Sequence, residues 1–262
     1  MADHFQNWEL PKISKKEIYH TSIFNFKKDD SIKTTEGTVL LNNKQKSIQL
    51  LQSSTIQHLR FDSTFRYLHL GLVQVGIKPL TREVRDTAVL LCLRDNRFLD
   101  FNASLLSVLE SSLAEGPVHF NYFPNFMVSL EDQNILSVLT LNIKFQNLEM
   151  EDTSFPFLLM CRICYKCMRN SGNPAAKKSS PIDRTTFYQT HIRTPNKIVS
   201  RNIKWCDVQF PEEWKIREVT PRETRQYGFT RRLGLHVQSV EIDNRYPPED
   251  GGESSEHHCH NP

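Results

Sequence analysis

The 262 residues carry 33 Lys and Arg against 30 Asp and Glu, a formal net charge of +3 at pH 7. A surface for an acidic partner must therefore come from local clustering of charge. The six Cys do not have the spacing of a secreted disulfide framework, and no run reaches the roughly 20 apolar residues of a membrane-spanning helix. We expect a protein that is kept in the reducing cytosol.

The first part of the chain consists of a polar segment followed by an apolar one. Residues 1–46 are polar and mixed in charge, which predicts a peripheral N-terminal arm, and residues 47–59 are compatible with a helical turn or two. Tyr67–Ile77 is a largely apolar run that predicts a strand covered on both faces. Its two glycines indicate a bulge or a close backbone approach.

One histidine lies on this first predicted strand. Simple alternation places His69 on the same side as Val73 and Val75. We expect a hydrogen-bonded core histidine there in preference to a metal ligand or a catalytic base.

A polar corner follows the second predicted strand, Thr87–Leu93. Asp95 and Asn96 lie there between Arg94 and Arg97. A carboxylate at such a position accepts from backbone amides and pairs with Arg, so the corner predicts a structural turn.

The next segments are predicted from periodicity. Asn102–Leu113 predicts a helix, because its leucines recur at helical spacing between a capping Asn and Gly116. The following strands are predicted over Val118–Tyr122 and Phe126–Leu130, as a hairpin-like pair, and over Ile135–Phe145 and Phe155–Met168.

Residues 169–204 form a basic segment. The segment contains eight Lys or Arg and one acid, Asp183, so its net charge is about +7. Phe187 and Tyr188 are interleaved with these charges. The composition of residues 171–176 predicts a flexible loop near the start of the segment. Such a segment suits contact with the phosphate backbone of a single strand. The alternative is a solvated loop whose charges keep the chain soluble. The candidate nucleic-acid-binding residues are Lys177, Lys178, Arg184, Arg193, Lys197, Arg201 and Lys204.

The end of the chain has two parts. Trp205–Trp214 predicts a last strand or an extended clamp, which gives a core of residues 47–215. Residues 216–262 are charged and rich in Pro, Gly, Glu and His toward the end, and predict a largely disordered tail.

No catalytic or metal-binding motif emerges. The chain lacks a Gly-x-Ser-x-Gly elbow and a phosphate-binding Gly-rich loop. Cys161, Cys164 and Cys167 would alternate in direction along a strand, with the first and last about 20 Å apart, so we expect buried thiols. His257–His260 includes metal-ligand residue types in a tail without supporting structure. We predict no enzyme activity, no cofactor and no metal site.

Several blocks, in order along residues 47–215, carry a family resemblance. They are Tyr67–Leu80, Leu91–Arg97, Gly116–Asn121 with Pro124–Phe126, and Leu139–Ile143. Together they resemble the movement proteins of plant pararetroviruses, the caulimovirus and badnavirus group, within the thirty-kilodalton movement-protein superfamily.

The resemblance implies a fold and two marker residues. The implied fold is mainly β, an antiparallel jelly-roll-like β-sandwich, to which the sequence adds one short helix and flexible N- and C-terminal arms. The marker Asp of the superfamily maps onto Asp95, with Leu93 two residues before it. A family Gly falls where this chain has Thr153, which would strain a turn with positive φ. Such a replacement fits either a divergent virus or a copy integrated in a plant genome.

The resemblance also implies a function. The chain would bind single-stranded nucleic acid without sequence preference and carry the viral genome or particles between plant cells through plasmodesmata. Its implied partners are further copies of itself, in some relatives as tubules, host plasmodesmal proteins, and the virus particle or coat protein. The alternative is a capsid-like module that self-assembles or docks host proteins without binding nucleic acid.

Overall fold

The computed structural model describes residues 7–20, 32–62, 64–81, 87–114, 116–148, 155–181, 184–191 and 194–204. These residues belong to a compact unit that spans Met1–Arg231. Arg193, Thr153, the predicted Trp205–Trp214 strand and the predicted tail lie outside the described residues.

Eleven strands and three short α-helices make up the described chain. In order they are α1 Lys15–Ile18, β1 Ile32–Leu41, β2 Gln45–Gln49, α2 Ser53–Phe61, β3 Tyr67–Pro79, β4 Ala88–Asp95, α3 Phe101–Ser104, β5 Leu105–Ser112, β6 Val118–Tyr122, β7 Phe126–Ser129, β8 Leu139–Gln146, β9 Phe157–Met168, β10 Thr185–His191 and β11 Thr194–Ile203. A 3₁₀ turn, Ile135–Ser137, precedes β8.

The strand order is that of a jelly roll. One sheet has the order β1-β9-β3-β6, with β7 also paired to β3, and the other contains β5-β4-β8-β2. From β1 to β9 the chain passes back and forth between the sheets, except that β4 and β5 stay within one sheet, as do β6 and β7. The pairings among these strands are all antiparallel. β10 and β11 extend the second sheet to six strands beyond β5, and β10 pairs with β5 in parallel. Two sheets joined in this order form the jelly roll. The predicted fold class is confirmed.

β6 and β7 are two halves of one interrupted strand. Both pair with β3, β6 along Val73–Ile77 and β7 along Tyr67–Leu70. The prediction of a hairpin-like pair was therefore wrong. The break lies opposite a bulge in β3, and Asn125, with φ of 50°, donates its backbone N–H to the Leu70 carbonyl there. An Asn tolerates this left-handed conformation, which lets the strand resume.

The predicted helix over Asn102–Leu113 was also wrong. Only Phe101–Ser104 is helical, capped by the Asp100 side chain, and the chain continues as β5. β5 pairs with β4 on one side and β10 on the other. The energy of a central position between two strands outweighs the local preference of a leucine-rich segment for a helix.

The segment predicted to be a peripheral arm supplies part of the sandwich. β1 is an edge strand that pairs with β9 over ten residues. Before it, residues 8–20 cross the outer face of the five-stranded sheet, and Ile18 and Tyr19 are buried there. We call residues 8–20 the strap.

The two sheets enclose one apolar core. Its residues come from the inward faces of both sheets and from α2. Phe145 of β8 and Phe157 of β9 stack with ring centroids 4.3 Å apart and so join the sheets directly. No helix in the described part of the chain combines the length and apolarity needed to cross a membrane.

Candidate nucleic-acid interface and the Asp95 corner

The basic segment divides into two groups on different elements. Lys177 and Lys178 lie in the loop after β9, beside α1. Arg184, Lys197, Arg201 and Lys204 belong to or flank the β10–β11 hairpin at the edge of the six-stranded sheet. The sequence treated them as one segment, whereas the fold assigns them to two elements.

The loop lysines meet lysines from the start of the chain. The Lys177 backbone N–H donates to the Ile18 carbonyl, and its Nζ donates to the Lys16 carbonyl at 2.6 Å. Lys15 Nζ donates to the Ile32 carbonyl at 2.7 Å. We call the set the lysine collar; its members are Lys15, Lys16, Lys166, Lys177 and Lys178.

The collar is built on a capped turn. Ser14 caps α1, and the Glu17 carboxylate accepts from the Ser14 backbone N–H, so the carboxylate within the collar is already engaged. Lys166 Nζ reaches the Pro174 carbonyl, and Lys178 Nζ lies 5.2 Å from the Phe123 ring centroid. Each ammonium has three donors, so these contacts fix the lysines and leave donors for an anion.

The loop predicted to be flexible is anchored to the strap. Tyr19 and Ala176 form a β-bridge, and the His20 N–H donates to the Ala175 carbonyl. Ala175 has φ of 59° and donates its own N–H to Asn173 Oδ1. The collar is therefore held in one arrangement by the backbone.

Tyr19 anchors the strap at the bulge of β3. Its hydroxyl lies 3.0 Å from His69 Nδ1 and 3.1 Å from the His69 carbonyl oxygen. His69 Nε2 pairs with Asn125 Oδ1 at 3.0 Å. The bulge at Gly71 places His69 on the outer face, opposite Val73 and Val75, so the predicted side was wrong. The prediction of a hydrogen-bonded, buried histidine is confirmed.

Burial shifts the pKa values of both side chains in this contact. Burial lowers the pKa of His69 to about 4, against a smaller raising effect of the hydrogen bond to Asn125. Burial also raises the pKa of Tyr19 above its ordinary value. Both groups are therefore neutral near pH 7.

Buried polar groups hold the middle of the strap. Arg162 Nη1 donates to the Pro11 carbonyl at 2.8 Å and to Gln74 Oε1 at 2.9 Å. Gln74 Nε2 also donates to the Pro11 carbonyl, and Arg162 Nε donates to Glu36 Oε1. The strap is thus specified by hydrogen bonds as well as by apolar contact.

The aromatic side chains of the hairpin pack inside the protein. Tyr188 stacks on Phe120 with centroids 5.0 Å apart and donates its hydroxyl to the Asn121 carbonyl at 2.6 Å. Phe187 is buried in a second apolar cluster, with Arg201 over its ring. The two interleaved rings of the basic segment are therefore engaged in packing within the protein.

Asp95 closes the end of β4. Its side chain is fully buried and forms a two-point ion pair with Arg97, at 2.9 Å to Nε and 2.7 Å to Nη2, and it also accepts from the Arg97 N–H. Arg97 donates onward to the Met127 carbonyl and lies over the Phe126 ring. Because Met127 belongs to the other sheet, the corner links the two sheets. The predicted pairing is confirmed, and Leu93 is buried in the core beside it.

Cys164 and Cys167 are buried as predicted, whereas Cys161 is half-buried. Cys161 and Cys167 contact the main core, and Cys164 lies in the cluster beneath the strap. Burial raises the pKa of Cys161 to about 12 and that of Cys167 to about 11, so their thiols are protonated near pH 7. Among the described residues, no group of three potential ligands gathers to hold a metal ion.

Comparison with known proteins identifies the family. Residues 5–180 match the family model for viral movement protein. This chain belongs to the viral movement protein family. A movement protein of Figwort mosaic virus is 30% identical over 185 residues, which cover 70% of this chain and 55% of the relative. A movement protein of Soybean chlorotic mottle virus is 30% identical over 174 residues, 66% of this chain and 57% of the relative.

The family relation covers only part of the relatives. The chain spans about half the length of these two movement proteins. The matched part of the genome polyprotein of Petunia vein clearing virus is 26% identical over 107 residues, 41% of this chain and 5% of the polyprotein. A structure from Desmodium yellow mottle tymovirus matches with a TM-score of 0.35 and 11% identity, over 54% of this chain and 85% of that chain. The fold assignment rests on the strand order and not on this weak likeness.

Sequence reasoning missed three of the five collar residues, Lys15, Lys16 and Lys166. Lys16 and Lys177 are 161 positions apart, and only the capping box at Ser14 signals an ordered turn near the start. The two adjacent lysines Lys15 and Lys16 are evident in the sequence, but nothing in the sequence indicates that they lie beside the loop after β9.

Proposed function

We propose that this movement protein binds single-stranded nucleic acid without sequence preference and carries a viral genome or particle from cell to cell through plasmodesmata, without catalysing a reaction. The lysine collar is the observation that carries the proposal. It gathers five positive charges on a fixed backbone, in a chain whose net charge is only +3. Such a cluster binds phosphates through charge and is blind to sequence.

The collar is favoured over the hairpin because of the surroundings of each group. Lys15, Lys16, Lys177 and Lys178 are exposed; the ammonium groups of Lys15 and Lys177 donate to backbone carbonyls, and that of Lys178 lies over the Phe123 ring. On the hairpin, Arg184, Arg201 and Lys204 are exposed as well, with Arg201 over the Phe187 ring, but they belong to or flank a single hairpin, whereas the collar joins lysines from distant segments of the chain. The other candidate residues remain predicted as additional contacts to the nucleic acid: Arg184, Arg193, Lys197, Arg201 and Lys204.

A matched pair of triple variants tests the interface. Lys16, Lys177 and Lys178 are changed to Gln in one variant, and Arg184, Arg201 and Lys204 in the other, so that each loses three charges. Affinity for a uridine 20-mer is measured at several salt concentrations. Each lost phosphate contact lowers the slope of log affinity against log salt by about 0.7. We expect a reduction of about 2 for the collar variant and little change for the hairpin variant. The reverse result would move the interface to the hairpin.

A transport assay tests the biological half of the proposal. The chain, fluorescently tagged, is expressed in leaf epidermis with a virus that lacks its own movement protein. We expect wall-associated foci and rescue of spread with the wild type, and loss of rescue with the collar variant at equal protein level. A diffuse signal without rescue in the wild type would refute the transport function.

A second candidate is a self-associating or host-docking module that binds no nucleic acid. Exposed apolar side chains near one end of the five-stranded sheet favour it: Leu40, Leu80 and Phe155 keep 48%, 45% and 46% of their surface exposed. Leu40 pairs with Leu158, and the Leu80 N–H donates to the Pro156 carbonyl, so the three lie along neighbouring strand ends. Concentration-dependent sedimentation with Leu40→Ser and Leu80→Ser separates this candidate from the first.

A further inference from the structure

A cavity of about 270 Å³ lies between α2 and the strands β1 and β9. Its lining consists of Lys33, Ser54, Thr55, His58, Leu59 and Tyr165. Five of these six residues carry a side-chain hydrogen-bond donor, and none carries a carboxylate. The first turn of α2 also contributes, because its N-cap residue Gln52 makes no side-chain capping bond.

Most polar groups of this lining have no described partner within the fold; the exception is the Thr55 hydroxyl, which donates to Gln52 Oε1 at 3.5 Å. Tyr165 is 4% exposed, and no hydrogen bond within the described part of the chain takes up its hydroxyl. Burial raises the pKa of Tyr165 to about 12, so the phenol is a donor near pH 7. The hydroxyl is not sealed off from the cavity, so it can donate to an acceptor that enters there. An acceptor of several hydrogen bonds suits this set of donors.

The cavity is adjacent to the lysine collar across one sheet edge. In the register of β1 and β9, Ile32 is opposite Lys166 and Lys33 is opposite Tyr165. Because neighbouring residues of a strand point to opposite faces, Lys166 belongs to the collar on the outer face, while Lys33 and Tyr165 line the cavity on the inner face. Lys15 bonds to the Ile32 carbonyl, so the collar reaches the edge strand itself.

We propose that the cavity beneath α2 is a phosphate subsite, which receives one phosphate of a nucleic-acid strand that follows the collar around the β1 edge. This inference rests on the proposed nucleic-acid binding and specifies where one phosphate of the strand would bind. Lys33 and His58 supply positive or donor groups, the hydroxyls of Ser54, Thr55 and Tyr165 supply neutral donors, and the free amides of the first helical turn complete the set.

One carboxylate lies near the subsite and provides a control. Asp62 follows α2 and accepts from the Thr64 N–H, and Lys33 and His58 act electrostatically on it. Its side chain does not line the cavity. Removal of this charge should therefore strengthen anion binding without altering the donors.

The first experiment uses inorganic phosphate and the full chain. In the amide NMR spectrum of the wild type, phosphate should shift the signals of residues 53–55 saturably, whereas chloride at equal ionic strength should not. Lys33→Gln should weaken the saturable shift at least several-fold, and Asp62→Asn should strengthen it. Unchanged signals in this turn would overturn the subsite, whatever the chain does with nucleic acid.

The second experiment uses the uridine 20-mer. Lys33→Gln should lower the salt slope by about 0.7, one phosphate contact. Tyr165→Phe keeps the ring and should weaken binding several-fold while the slope stays constant. If Lys33→Gln binds as the wild type does while the collar variant loses affinity, the subsite is refuted and the proposed function stands. If the wild type does not bind the 20-mer, the proposed function fails, and with it the role of the subsite toward nucleic acid.

Discussion

At the scale of single residues, Asp95 shows how a marker residue can act through structure. Its carboxylate is fully buried and has both oxygens on Arg97, which in turn reaches the opposite sheet at Met127. A side chain so enclosed has no oxygen facing a partner. We therefore expect Asp95 to support movement by fixing the corner between the sheets.

Replacement of Asp95 by Ala tests this role. The change leaves the Arg97 guanidinium without its carboxylate beneath the corner, and we expect a loss of about 2–3 kcal/mol in the free energy of unfolding. This loss is smaller than that expected for a fully buried ion pair, because the Arg97 side chain keeps 16% of its surface exposed. Urea denaturation measures it.

A nearby aspartate serves as the control for that prediction. Asp100→Ala removes only the cap of α3, a bond to the Ala103 N–H, and should cost about 1 kcal/mol. If Asp95→Ala kept full stability and still abolished rescue of virus spread, a direct contact with a partner would replace the structural role.

His69 predicts a dependence of stability on pH. Its pKa is about 4 in the folded protein, and its ordinary value is 6.5. Between these values the unfolded chain binds the proton and the folded chain does not, so stability falls as the pH falls from 6.5 toward 4. The full loss is about 3 kcal/mol.

The variant His69→Gln isolates this contribution. Burial lowers the pKa of His119 as well, so both proteins lose stability in acid, but the wild type should lose about 3 kcal/mol more than the variant between pH 6.5 and pH 4. Urea titrations at both pH values provide the comparison. Parallel curves would mean that His69 is accessible and titrates normally.

At the scale of elements, the strap depends on the absence of a side chain at Gly71. A Cβ added there would meet the Tyr19 hydroxyl, and it would lie 2.6 Å from Tyr19 Cζ and 2.9 Å from Ile18 Cγ2. Gly71→Ala should therefore displace Tyr19 and cost about 1–3 kcal/mol. Hydrogen exchange should be faster in residues 15–20 and at Lys177, whose N–H bonds to the strap.

The exposed Gly172 provides the matched substitution. A Cβ there would lie 3.2 Å from Asn170 Oδ1, a side-chain atom that can move, so Gly172→Ala should stay within about 0.5 kcal/mol of the wild type. Equal effects of the two substitutions would argue that the strap is not anchored at Gly71.

The elements also show what a sequence reveals and what it hides. β3, β4, β8 and β9 were predictable because each is rich in apolar side chains typical of buried strands, in β8 as a strict alternation of apolar and polar residues. β1 was not, because an edge strand exposes every second side chain and so has the composition of a polar arm. The helix predicted over Asn102–Leu113 failed because Leu105 and Leu109 fit a strand as well as a helix.

The site was less predictable than the fold. The Asp95 corner was visible because its partner Arg97 is two residues away. The collar and the cavity bring together residues from the start, middle and end of the described chain. Only the strand pairing determines which of these distant polar residues are neighbours.

At the scale of the whole molecule, the two sheets share one core and should unfold together. The core draws on both inward faces, and the stacked pair of Phe145 and Phe157 spans them. The chain also crosses repeatedly between the sheets, so neither sheet consists of a continuous piece of chain. Unfolding of the described sandwich should therefore be a single cooperative transition.

The variant Phe157→Ala tests whether the two sheets unfold together. Phe157 is fully buried, and its truncation should cost about 3–5 kcal/mol. Phe61→Ala is the control, because that ring is 90% exposed and should contribute less than about 0.5 kcal/mol. Amide signals from β3 and from β4 should disappear at one common urea concentration, lower in Phe157→Ala than in the wild type. Separate midpoints for the two strands would mean that the sheets are independent, and the Asp95 corner would then be a hinge between them and not a fixed link.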